Sequence, residues 1–306
     1  MSRIVTYSGD VRIRDVKLID PSDHDNPLNP HLSSQNYLTH FPKYPKCPVC
    51  SKCKIQKKQN RKRKKGETFA CWKEPEKFAD LITADHVIIS EKSIRNRSKN
   101  DENYAVVIQD WATKWLSSAP VPSKTGSDSL QALLTFLGPN VIPKLVYSDN
   151  SGELSLAVKL LGGLPDTCTP HAPQTNGIAE NCVRKVKEGT SCLILQSGLS
   201  SKIWDDAMKC FCFTRNVTDI LSIGCTAYQA RFGKEFKGLM VPFGALVEYM
   251  PLRESKVVKD HPLGPKTKKG IFMGYHCHPG GDGRMTIIFL MLRNFIMQMS
   301  LVYVSH

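Results

Sequence analysis

The chain reads as an α/β fold, a mixed sheet with helices on both faces. Three observations lead there. Short apolar stretches bounded by polar turns recur between residues 78 and 149, the mark of strands. Longer stretches with apolar residues at helical spacing interleave with them and follow them, several closed by Gly. The chain has 306 residues, 41% of them apolar, enough for a sizeable core and more than one folded unit.

FADLITADHVII, from Phe78, is the first strand. The polar turn RNRSKNDEN at 95–103 leads to a second, YAVVIQD at 104–110, and KWLSSAPV at 114–121 is a third. SDSLQALLTFLG at 127–138 has a Ser cap, helical spacing and a terminal Gly. KLVYSD at 144–149 is a short strand, GELSLAVKLLGG at 152–163 a helix closed by glycines, and TCTP at 167–170 a short extended piece. Two helices complete the run, at 175–198 and 200–221. Three antiparallel strands followed by alternating helices and strands form a layer whose two faces can both be covered.

The flanks differ in composition. Residues 1–30 are polar, rich in Asp, Asn and Pro, and read as a disordered arm. Residues 31–53 gather His31, His40, Cys47, Cys50 and Cys53. KIQKKQNRKRKK at 54–65 opens a basic linker that runs to residue 77, the core spans 78–235, and a post-core segment fills 236–306. The formal net charge is +14 and the pI about 9.3, which favours polyanionic partners, nucleic acid above all. Eleven cysteines and an N-terminus without the apolar centre of a secretory signal point to a reducing compartment. The tail TIIFLMLRNFIMQMSLVYV at 286–304 is apolar, but Arg293, Asn294 and Gln298 interrupt it. It reads as a strand pair or an aberrant chain end, and no membrane partner is expected.

Three acids stand out. Asp85 lies on the first strand, Asp149 at the end of KLVYSD, and Glu180 about a turn into a helix. Converging in one cleft, three carboxylates repel one another unless a cation sits between them. An all-oxygen site suits Mg²⁺ or Mn²⁺, and two such ions can serve both oxygens of a phosphoryl displacement. Asp80 is a rival for the first position, nearer the start of its strand. Arg184 and Lys187, four and seven residues past Glu180, share its helical face and suit a phosphate backbone laid across the site.

TADHV, YSDNSGE and TPHAPQTNGIAEN together resemble the DDE signature of retroviral-type integrases, in the form carried by the Pol polyproteins of copia-like LTR retrotransposons. The likeness covers roughly residues 31–280 and extends to AYQARFGKEFKGLMVPFGALVEY and GPKTKKGIFMGY after the core. It implies an RNase H-like core with Asp85, Asp149 and Glu180 as catalytic metal ligands. It implies processing of the 3′ ends of element DNA and strand transfer into target DNA. The implied partners are element and target DNA, a second copy of the chain in a homo-oligomer, and other Pol products, with a nuclear location. No protease or reverse transcriptase motif is visible, so such a chain would be one piece of a larger polyprotein. Gln174 and Asn176 match the family's DNA-contacting loop before the catalytic helix, and Asn176 can also cap that helix. Thirty residues separate Asp149 from Glu180, fewer than is usual in the family. A non-catalytic, basic nucleic-acid-binding remnant of the same fold is the alternative.

CPVC, with cysteines 47 and 50, has the spacing of half a zinc site. The family places a His₂Cys₂ zinc module ahead of its core, and His40, Cys47 and Cys50 match three of its ligands. The expected position of the first histidine is Asn36. His31 or Cys53 takes its place, or the site is broken.

Overall fold

A computed structural model describes residues 38–44, 47–54, 75–89, 97–149, 151–167, 177–249, 267–281, 286–293 and 296–303. The arm at 1–30, His31, Asn36, most of the basic linker and the loop with Gln174 and Asn176 lie outside the described residues.

The core is an RNase H-like mixed sheet of five strands: β1 (Leu81–Ile88), β2 (Tyr104–Asp110), β3 (Leu116–Val121), β4 (Leu145–Ser148) and β5 (Leu164–Thr167). Their spatial order is β3-β2-β1-β4-β5. The first three are antiparallel neighbours, while β4 runs parallel to β1 and β5 parallel to β4. Strand β2 occupies the residues its short apolar run predicts. Strand β5 begins three residues before TCTP, because the chain turns straight from Gly162–Gly163 into pairing with β4. Pro165 is tolerated there because β5 is an edge strand.

Helices cover both faces. On one lie α2 (Gly126–Leu137), α3 (Gly152–Leu160) and the short α6 (Ala227–Phe232). On the other lie α4 (Gly177–Ser197) and α5 (Trp204–Thr218). The cap of α2 is Thr125, whose hydroxyl accepts from the Asp128 amide, rather than Ser127, and Ser151 caps α3 in the same way. Alternation along the strands sorts the core into two. Ile82, Ala84, Val106, Ile108 and Val146 pack against α2, α3 and α6. Val87, Ala105, Val107 and Leu116 pack against α4 and α5.

A second sheet covers the outer side of α5. It comprises β6 (Leu246–Tyr249), β7 (Lys268–His276), β8 (Thr286–Arg293) and β9 (Ile296–Tyr303), in sequential antiparallel order. Phe272 and Met273 of β7 are fully buried, and Gly274 lets that strand approach α5, where a Cβ would stand 3.1 Å from that of Cys210. The apolar tail thus forms the strand pair β8–β9. Among the described residues no helix is long and apolar enough to cross a membrane.

Candidate active site and metal centre

Parallel pairing of β1 with β4 builds the acidic site. Ala84 is in register with Ser148, so Asp85 and Asp149 follow side by side on strands that lie about 4.8 Å apart. Ile82 and Val146 face the α2–α3 side. Asp85 stands three residues beyond Ile82 on the same strand, so period-two alternation turns its carboxylate to the α4 side, and Asp149 directly follows the last residue of β4. Glu180 enters from the first turn of α4 and is exposed.

Asp85 senses the charges of the other two. Burial, then the charge of Asp149 and, more weakly, that of Glu180, push the Asp85 carboxyl up to about 6. Asp149 Oδ1 is buried and accepts no hydrogen bond. A buried, unmatched carboxylate oxygen beside a second carboxylate is a donor set that a hard divalent cation fits. Asp80 is occupied elsewhere. It accepts from the Glu76 and Lys77 amides and pairs with Lys144 at 2.6 Å, and that ammonium holds its carboxyl down to about 2. Lys124, in the loop before α2, is a cation whose charge reaches Asp85, His86 and Glu153. No motif marks it, since its approach depends on how α2 packs. His86 points to the opposite face, with Nε2 3.0 Å from the Ser129 hydroxyl.

Arg184 and Lys187 are exposed on α4, on the side of Glu180. Arg184 pairs with Glu188 at 3.8 Å and donates to Asn181 at 2.7 Å. Its ion-pair partner on the helix is therefore Glu188 and not Glu180.

The second site lies around the short helix α1 (Pro48–Cys53). His40, Cys47 and Cys50 are buried, and their ligating atoms lie within 4.8 Å of one another. His40 Nδ1 is 3.8 Å from Cys47 Sγ and 3.6 Å from Cys50 Sγ. A tetrahedral zinc ion with ordinary Zn–N and Zn–S bonds separates such atoms by about 3.6 Å. Three corners of a zinc site are therefore in place, and the soft donor set fits that ion. Burial lowers the His40 pKa, which keeps the ring neutral and able to ligate. Cys53 is not one of the three; it packs against the cluster that Cys47, Val49 and Cys50 form with Cys192 of α4. The module sits against the core. Thr39 donates to Asp219 at 3.2 Å, the Phe41 ring lies 5.9 Å from that of Phe211, and Lys54 Nζ donates to the His40 carbonyl at 2.6 Å.

No protein-family model and no curated protein matches the chain. Among solved structures, the catalytic core domain of BIV integrase is 16% identical with a TM-score of 0.37, covering 51% of this chain and 95% of that one. The simian T-cell lymphotropic virus intasome, solved with PP2A regulatory subunit B56 gamma, contains a chain 15% identical with a TM-score of 0.42, covering 76% and 81%. Likenesses this slight bear no weight by themselves; the fold rests on strand order and direction.

Proposed function

We propose that the chain is a metal-dependent polynucleotidyl transferase of the DDE integrase type, acting on DNA. The observation that carries this reading is that Asp85 and Asp149 each directly follow the Ala84–Ser148 pair of two neighbouring parallel strands, with the charges of Asp149 and Glu180 felt at Asp85. Asp85, Asp149 and Glu180 would hold Mg²⁺ or Mn²⁺. Such cations would supply activation of an attacking hydroxyl and stabilisation of the leaving oxygen of the phosphodiester. Asp85 must shed its proton before it can ligate. Arg184 and Lys187 supply exposed positive charge beside the acids for a phosphate backbone. Gln174 and Asn176 approach the same DNA in this reading. The substrate pair is an element's DNA ends and a target duplex, handled by a homo-oligomer in the nucleus. The His40, Cys47 and Cys50 module binds zinc.

The test is joining of a short duplex oligonucleotide into plasmid DNA with Mg²⁺ or Mn²⁺. The wild-type chain joins, and Asp149→Asn abolishes joining while keeping the fold and DNA binding. DNA binding without joining in the wild type establishes the non-catalytic remnant instead, and joining that survives Asp149→Asn removes the DDE assignment.

A further inference from the structure

The geometry points to Gln196 as a positioning residue of the zinc centre, the link through which metal binding by the N-terminal module is fixed to the helix that carries Glu180. This rests on reading His40, Cys47 and Cys50 as zinc ligands.

The link is a single hydrogen bond between segments 156 residues apart. His40 Nε2 lies 2.5 Å from Gln196 Oε1. An amide oxygen only accepts, so Nε2 carries the hydrogen and Nδ1 keeps a bare lone pair. Nδ1 is the atom that faces the two thiols, at 3.6 and 3.8 Å. Histidines that bind metals nearly always donate their second ring N–H to an acceptor, which sets tautomer and ring orientation and raises basicity. Here the acceptor comes from the last turn of α4, not from the module. The ring is buried, at 1% exposure, and the hydrogen bond to Gln196 fixes its orientation there. Elsewhere the module meets the core through the Thr39–Asp219 hydrogen bond and through Cys192, which packs in one cluster with Cys47, Val49 and Cys50; neither is a hydrogen bond to the His40 ring. Among the described residues, Gln196 is the core side chain that hydrogen-bonds a zinc ligand.

Glu180 lies in the first turn of α4 and Gln196 in its last. A metal that freezes the His40 ring therefore pins the far end of that helix, and loss of metal should loosen it.

The experiment compares the full chain with Gln196→Ala, Gln196→Met, Gln196→Glu and Cys47→Ser. Zinc affinity is read by competition with a chromophoric chelator, site geometry by the absorption of the Co²⁺ form, and helix order by amide exchange along α4 with and without zinc. Gln196→Ala, or the nearly isosteric Gln196→Met should the first misfold, is expected to weaken zinc binding by about 10- to 100-fold. It should also alter the Co²⁺ spectrum and erase zinc-dependent protection of the last turn of α4. Gln196→Glu keeps an acceptor and should restore all three. Wild-type affinity and an unchanged spectrum in the Ala or Met variant overturn the inference and leave the zinc reading intact. A wild-type chain that binds no more zinc than Cys47→Ser overturns both.

Discussion

Replacing Asp149 with Asn should stabilise the metal-free protein and abolish its response to metal. Asp85 is held at about 6 against an ordinary 3.8. Each tenfold change in proton affinity is worth about 1.4 kcal/mol, so ionising Asp85 in the folded state costs roughly 3 kcal/mol. Burial is the larger cause and the Asp149 charge the second, so deleting that charge should return about 1 kcal/mol. The sign follows from proton uptake. The folded state binds more protons than the unfolded one between 3.8 and about 6. The stability held in protonated Asp85 is complete below the lower value and is lost as pH rises through the upper one. Asp149→Asn should therefore melt some 2–4 °C above wild type in EDTA at pH well above 6, and the difference should close as pH falls toward 4. Added Mg²⁺ should raise the melting temperature of the wild type above pH 6, where Asp85 is free to ligate, and leave the variant unmoved. Thermal melts across pH, with EDTA or Mg²⁺, measure all of this. A variant that melts below wild type in EDTA at alkaline pH, or that keeps the Mg²⁺ shift, refutes the account of three acids stored at one site.

Two further changes test the packing and the DNA-facing surface. Gly189→Ala in α4 would place a Cβ 2.1–2.4 Å from the ring atoms of fully buried Phe211. Overpacking should outweigh the gain in helix propensity and lower stability by about 1–3 kcal/mol; an unchanged or raised denaturation midpoint contradicts the close contact of α4 with α5. Arg184→Ala and Lys187→Ala should each weaken DNA binding regardless of sequence and reduce the slope of log affinity against log salt by about 1. An unchanged slope takes that residue off the DNA path.

Much of the core is legible because its signals are local. A short apolar run bounded by polar residues marks β2 over 104–110, and apolar spacing marks α2 and α3 to within a residue or two at their starts. The cap of α2 stands two residues before the serine that the pattern favours, since Thr125 and Ser127 are chemically alike and only the backbone decides which hydroxyl meets the free amide. Of the second sheet, the apolar tail reads as the strand pair that β8 and β9 form, but its packing does not show in the sequence: β7 finds its place by burying Phe272 and Met273 against α5.

Residue types, caps and periodicity settle by themselves that this is a layered α/β chain with two sets of candidate ligand residues, because those preferences act over one or two turns. Which acids meet is a matter for strand order: pairing β4 beside β1 brings Asp149 next to Asp85 across 64 positions and leaves Asp80 to Lys144. The contact of His40 with Gln196 is likewise decided only when the module docks on α4. Burial and parallel pairing act between segments far apart in the chain, and no local pattern encodes them.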